Sequence, residues 1–111
     1  MYNNILERGD VLYINFSPQA GREQKGWRPA MVISLLAYNQ LLNTVLLCPI
    51  TSNLAPWAFK YTLSDDEVIS GAILVDQCTS RDYRARGGRY HGTLQPSSIE
   101  GVLAILRTLT S

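Results

Sequence analysis

The chain is short and nearly neutral, with 111 residues and a formal net charge of +1 at pH 7. This length predicts one domain, residues 1–111, with a modest core, and 46% hydrophobic residues argue against disorder. The small net charge excludes a protein that coats nucleic acid with its whole surface, so a polyanion site has to be local. Without a signal-peptide pattern or the roughly 20-residue apolar run of a membrane span, we expect a cytoplasmic protein that does not bind membranes.

Most of the chain predicts short β-strands. Five runs rich in β-branched, aromatic and other apolar residues carry this prediction: residues 11–16, 30–34, 44–50, 59–62 and 72–75. Turn residues separate several of these runs, which favours a small sandwich or barrel over parallel βαβ units.

The C-terminal segment predicts an amphipathic helix that packs on the sheet. Ser97 and Glu100 match a capping box with Ser97 as the N-cap residue. Gly101 lies inside this helix and costs about 1 kcal/mol relative to alanine. The apolar stripe recurs at helical spacing and consists of Ile99, Val102, Leu103, Leu106 and Leu109.

A loop between the first two predicted strands concentrates charge around one aromatic ring. It contains the cations Arg22, Lys25 and Arg28, the carboxylate Glu23 and the indole of Trp27. Two interpretations remain open. The segment is either a solvated hairpin loop or a phosphate clamp with a carboxylate beside it.

A second segment, residues 81–92, is strongly basic. Between residues 81 and 91 it has four arginines and one aspartate, a local balance of +3 with His91 neutral. Arginine binds phosphate bidentately, Tyr83 and Tyr90 offer faces for base stacking, and Gly87-Gly88 would let backbone amides approach a ligand. A solvated face and a site for RNA or another polyanion are both compatible with this segment. Its arginines are Arg81, Arg84, Arg86 and Arg89.

Other reactive residue types give no sign of a cofactor or metal site. His91 is the only histidine, which excludes a two-histidine acid–base pair, and we assign it no role. Cys48 and Cys78 have neither metal-ligand spacing nor a disulfide framework, and Cys48 is expected to be a buried free thiol. The acidic residues 65–67 predict a polar turn, and Trp57 predicts a packed loop aromatic.

The ordered motifs of the chain resemble those of the MazF/PemK toxin family, and the resemblance covers nearly the whole chain. It implies a mainly β fold with a C-terminal helix, an SH3-like barrel of the CcdB/PemK type. The motifs are Gly-Asp-Val at 9–11, Gly-x-Glu-Gln-x-Gly-x-Arg-Pro-Ala-x-Val-Ile-Ser at 21–34, Pro-Ile-Thr-Ser at 49–52, Val-Asp-Gln at 75–77, Arg-Ala-Arg-Gly at 84–87 and Gly-Thr-Leu at 92–94.

The resemblance also implies a function. It implies a homodimeric endoribonuclease toxin that cleaves single-stranded RNA sequence-specifically, without a cofactor, and that a cognate MazE-like antitoxin inhibits. Carried over by motif position, the catalytic candidates are Glu23, Arg28 and Thr51. The RNA-binding candidates are Arg22, Lys25, Trp27, Arg81, Tyr83, Arg84, Arg86 and Arg89.

Metal-free cleavage of RNA uses the neighbouring 2′-hydroxyl as nucleophile and leaves a 2′,3′-cyclic phosphate and a 5′-hydroxyl. Glu23 is the candidate base, although nearby cations oppose the raised pKa that a base needs. Arg28 suits stabilisation of the phosphorane, and Thr51 suits a hydrogen bond to the same phosphate.

Two alternatives remain from the sequence. One is a CcdB-like gyrase poison, although residues 107–111 lack the terminal aromatic residue of those toxins. The other is a non-catalytic module that binds RNA or an antitoxin.

Overall fold

The computed structural model describes residues 5–16 and 26–111, and these form a mainly antiparallel β fold with a long C-terminal helix. The mainly β prediction and the C-terminal helix are therefore confirmed. The strands in these ranges are β1 (Asp10–Asn15), β2 (Trp27–Val32), β3 (Thr44–Thr51), β4 (Lys60–Thr62), β5 (Ala72–Leu74), β6 (Thr79–Asp82) and β7 (Arg89–Thr93). The helices are α1 (Leu36–Leu41), a short 3-10 helix (Val75–Gln77) and α2 (Pro96–Thr110).

The strands form an open sheet in the order β4-β5-β3-β2-β1-β7. The long strand β3 organises it, because residues 44–47 pair with β6 while Ile50 and Thr51 pair with β5. On its other edge β3 pairs with β2, with Ala30 opposite Pro49. Since the two strands are antiparallel, the first residues of β2 lie beside the last residues of β3.

Both faces of the sheet carry a hydrophobic cluster. One cluster includes Met31, Cys48 and Ile50 and is covered by α2 through Val102. The other includes Ile14, Val32, Leu47 and Tyr83 on the opposite face. Because both faces are buried, β2 and β3 carry nearly continuous apolar runs instead of alternating ones.

The predicted capping box of the C-terminal helix is wrong. The N-cap residue is Gln95, and α2 begins at Pro96, where proline's fixed φ and missing N–H are tolerated. The carboxylate of Glu67, in the acidic turn, accepts the Gln95 N–H at 2.9 Å and the Ser98 hydroxyl. A carboxylate from a distant loop thus caps the helix, a contact that local sequence does not encode.

Four elements of the described residues were not predicted, namely α1, the 3-10 helix Val75–Gln77, β6 and β7. Residues 79–82 and 89–93 are rich in charged and small polar residues, and pairing with the buried strands β3 and β1 makes them extended. The helix α1 is anchored by Asn39, which is 1% exposed and donates to the Leu6 carbonyl at 2.7 Å. None of the helices in residues 5–16 and 26–111 is long and apolar enough to span a bilayer.

Candidate functional site

Arg28 and Thr51 line one groove of about 240 Å³ where β2 begins and β3 ends. The antiparallel register brings them to the same end of the sheet, and Tyr13 from β1 and Ser70 from the loop before β5 complete the walls. Two of the three predicted catalytic residues therefore share a groove. The third, Glu23, lies outside the described residues.

Thr51 is held in a fixed orientation. Its side chain is 8% exposed, and its Oγ1 accepts the backbone N–H of Asn53 at 3.1 Å. Gly71, with φ of +127°, approaches it so closely that a Cβ there would lie 2.6 Å from the Thr51 carbonyl oxygen. The hydroxyl oxygen accepts this hydrogen bond, and the hydroxyl group can in turn donate a hydrogen bond to an anion in the groove.

An aromatic and basic surface adjoins this groove through Trp27. Trp27 lines the Arg28 groove and also two further depressions of about 530 and 720 Å³. Arg89 and Tyr90 line both of these, and Arg84 lines the larger. The Trp27 and Tyr90 side chains are 57% and 42% exposed, so rings and guanidinium groups flank one open surface, which we call the Trp27 surface.

The other predicted RNA-binding arginines lie in different surroundings. Arg86 donates through Nη1 to the Asn15 carbonyl at 3.1 Å and thus holds the end of β1 beside Trp27. Arg81 donates to the Ser80 carbonyl at 2.9 Å, with its guanidinium 5.8 Å from the Phe16 ring centroid. Arg81 does not line the Trp27 surface, and Arg22 and Lys25 lie outside the described residues.

Two details of the basic segment differ from expectation. Tyr83 is 3% exposed and belongs to the core, with the Arg84 guanidinium 5.5 Å from its ring centroid; this burial argues against a stacking role. The amides of Gly87 and Gly88 are not offered to a ligand, because they donate to the carbonyls of Arg84 and Tyr83 at 3.1 and 2.6 Å. Gly87 instead adopts φ of +68° and packs close beneath Trp27.

A polar groove on the other side of Thr51 was missed. It has a volume of about 310 Å³ and shares Thr51 with the Arg28 groove. Trp57, expected as a packed aromatic, is 53% exposed and donates from Nε1 to Asp76 at 3.1 Å. Gln77 lines the same groove, and its buried Oε1 has no hydrogen-bond partner among the described residues. The Val-Asp-Gln motif at residues 75–77 was the signal for this groove, but nothing in the motif itself indicated a role for its side chains.

His91 stays without a role. Its exposed ring lies 5.5 Å from that of Tyr13, edge to face, and its Nε2 lies 3.1 Å from the Val68 carbonyl oxygen. His91 does not line the Arg28 groove; it contacts Tyr13, which does.

Comparison with known proteins gives consistent matches over the whole chain. A family model described as "PemK-like, MazF-like toxin of type II toxin-antitoxin system" matches residues 7–110. The endoribonuclease toxin MazF of Escherichia coli strain K12 is 35% identical over 105 residues, which cover 95% of this chain and 94% of the relative.

Solved structures agree with these matches. The crystal structure of MazF from Deinococcus radiodurans superposes with a TM-score of 0.89 at 34% identity, covering 96% of this chain and 97% of that one. The chain also matches a MazE–MazF structure from the same organism, with a TM-score of 0.84 at 34% identity over 96% of both chains.

Proposed function

This chain belongs to the PemK-like, MazF-like toxin family of type II toxin–antitoxin systems, and on that premise we propose that it is an endoribonuclease that cleaves single-stranded RNA without a metal ion. The single observation that carries the proposal is the shared groove of Arg28 and Thr51, open to the Trp27 surface. The 35% identity to an endoribonuclease toxin over nearly the full chain supports the same activity.

In this mechanism the RNA supplies its own nucleophile. The 2′-hydroxyl attacks the adjacent phosphorus and a base removes its proton, while the P–O5′ bond breaks and the 5′-oxygen takes a proton from solvent water, giving a 2′,3′-cyclic phosphate and a 5′-hydroxyl. The negative charge on the non-bridging oxygens rises as the phosphorane forms. Arg28 stabilises that charge with its forked N–H donors, and the Thr51 hydroxyl donates a hydrogen bond to the same phosphate. Glu23 is the proposed base by motif position.

The substrate strand lies across the Trp27 surface. The exposed rings of Trp27 and Tyr90 stack on unpaired bases, and Arg84 and Arg89 neutralise phosphates on either side. The loop cations Arg22 and Lys25 are proposed to extend this contact. Because the rings are open to solvent and bases are reached only when unpaired, single strands are favoured over duplex.

We also propose a homodimer, a protein inhibitor and a cytoplasmic location. Exposed leucines cluster around α1, with Leu35, Leu41 and Leu42 exposed by 56%, 77% and 55%. An apolar patch of this kind is typical of a surface that a second subunit covers. The MazE–MazF structure from Deinococcus radiodurans supports a cognate MazE-like antitoxin as partner, and the proposed substrate, cellular single-stranded RNA, supports a cytoplasmic location.

The proposal is tested with purified protein and a long single-stranded RNA in excess EDTA. We expect cleavage at defined sites with 2′,3′-cyclic phosphate ends, and no cleavage of DNA of the same sequence. A single 2′-deoxy substitution at the cut position removes the nucleophile and should abolish cleavage there. Cleavage of that substituted strand would exclude the mechanism, and RNA binding without any cleavage would support the non-catalytic alternative.

A separate variant tests the base. Glu23→Gln keeps the size of the side chain but removes its basicity, so we expect cleavage to become at least ~100-fold slower if Glu23 takes the proton. A rate close to that of the wild type would assign proton removal to another group or to water.

A further inference from the structure

Cys48 lies in β3, and Cys78 is the residue directly before the neighbouring strand β6. In the ladder between β3 and β6, Leu47 lies opposite Thr79, and one further step in the same antiparallel register places Cys48 opposite Cys78. Residues opposite each other on antiparallel strands have Cα atoms about 4.5–5.5 Å apart, within the range of about 4.4–6.8 Å found in disulfides. The Cys48 thiol donates to the Val75 carbonyl oxygen at 3.9 Å and interacts with the Cys78 thiol, and both cysteines are free. Continued by that one residue, the register gives the two cysteines a backbone separation within the range found in disulfides.

The two thiols differ in exposure and in acidity. Cys48 is fully buried, whereas Cys78 is exposed. The interaction between the two thiols lowers the pKa of Cys78 and raises that of Cys48, and burial raises the Cys48 pKa further. The exposed sulfur is thus the more acidic of the two and the one that forms the thiolate, the reactive form of cysteine, more readily.

We propose that Cys78 is an oxidation site whose oxidised sulfur closes a disulfide with Cys48. With hydrogen peroxide as oxidant, the Cys78 thiolate attacks one peroxide oxygen, the O–O bond breaks, and the hydroxide released takes up a proton to become water. The resulting sulfenic acid then reacts with the Cys48 thiol, forming the S–S bond and releasing a second water. Two thiols are oxidised by two electrons in total, and one peroxide is reduced to two waters.

The position of Cys78 connects this chemistry to the candidate site. Cys78 directly follows the 3-10 helix Val75–Gln77, whose Asp76 and Gln77 line the polar groove together with Thr51. Bond formation draws the sulfurs from a non-bonded separation to about 2.05 Å, and the backbone that carries Asp76 and Gln77 is attached to the moving residue. We therefore expect the oxidised protein to cleave RNA more slowly than the reduced protein, an effect that rests on the proposed function.

The modification is tested without any RNA. Reduced wild-type protein is freed of reductant, treated with hydrogen peroxide and then denatured for thiol titration and intact-mass measurement. We expect both titratable thiols to disappear, with a mass loss of about 2 Da for the two hydrogens removed, in a species that migrates as a single chain on a non-reducing gel. Dithiothreitol should restore both thiols. Retention of both thiols, or a cross-link between two chains, would overturn the proposal.

Two variants separate the roles of the sulfurs. Cys78→Ser leaves only the buried thiol, and we expect it to resist peroxide. Cys48→Ala removes the resolving thiol, so Cys78 should accumulate as a sulfenic acid that dimedone labels. If the alanine variant fails to fold, peptide mapping of oxidised wild type decides the same point by finding or not finding the Cys48–Cys78 linkage. If the disulfide-containing protein cleaves RNA as fast as the reduced protein does, the coupling to the groove is refuted, but the modification itself is not.

Discussion

The side-chain oxygen of Thr51 accepts the backbone N–H of Asn53 at 3.1 Å. The hydrogen bond fixes the side chain at the last residue of β3 and leaves the hydroxyl proton for a ligand in the Arg28 groove. Thr51→Val keeps the shape and removes both the donor and the acceptor of the Asn53 N–H, so we predict RNA cleavage at least ~100-fold slower, the scale of losing one transition-state donor. Thr51→Ser is the matched control and should retain most of the rate. Equal rates for the valine and serine variants would remove Thr51 from the chemistry.

Arg28 is predicted to act on the transition state. Arg28→Ala should lower kcat by ~100-fold or more with a smaller change in KM, because the guanidinium stabilises charge that develops during the reaction. Arg28→Lys keeps the charge without the forked geometry and should recover only part of the rate. Arg107→Ala, an exposed arginine in the last turn of α2, is the control for general loss of positive charge. Single-turnover cleavage of a short RNA measures all three variants, and an unchanged kcat for Arg28→Ala would contradict the assignment.

Trp27 is predicted to bind substrate without taking part in bond cleavage. Base stacking on an aromatic ring is worth about 1–3 kcal/mol, so Trp27→Ala should weaken the affinity for single-stranded RNA by ~5- to 150-fold. Trp27→Phe retains a stacking face and should lose much less. Fluorescence anisotropy with a substrate carrying a 2′-deoxy cut site measures binding alone. Equal affinities of the wild type and the alanine variant would place the RNA elsewhere.

Gly101 is predicted to be a packing residue of α2. Helix propensity favours Gly101→Ala by about 1 kcal/mol, but the new Cβ would lie 2.1 Å from Cε1 of the Tyr61 ring. Overpacking of this kind costs about 1–3 kcal/mol, so we predict that Gly101→Ala lowers the free energy of unfolding in urea. In a Tyr61→Ala background the obstacle is gone, and the same substitution should stabilise the protein. Stabilisation by Gly101→Ala in the wild-type background would show that the ring moves aside freely.

The exposed leucines near α1 are predicted to form the subunit interface. Leu41→Lys and Leu42→Lys place charges in the patch, so the mass measured by light scattering should fall from that of a dimer to that of a monomer. Leu109→Lys is the control, because Leu109 is an exposed leucine on α2, at 41%. A dimer mass retained in both patch variants would place the interface on another surface.

Part of the candidate site could be predicted from the sequence. Motif position identified Arg28 and Thr51, and the antiparallel pairing of β2 and β3 explains why residues distant in sequence line one groove. The basic and aromatic composition of residues 81–92 suggested a stacking role for Tyr83, whose ring is buried in the core. A basic and aromatic composition predicts a polyanion surface, but it does not indicate which ring faces solvent.

The sequence alone determined the apolar strands and the helical stripe of α2. Both follow from residue type and from the spacing of apolar residues over a few neighbouring positions, and such patterns are local. Only the tertiary structure decided which loop caps α2, why glycine occupies position 101, and that Cys48 lies opposite Cys78. Each of these depends on a contact between segments far apart in the chain. Local preferences amount to fractions of a kcal/mol per residue, and pairing with a buried strand or packing against a ring exceeds them.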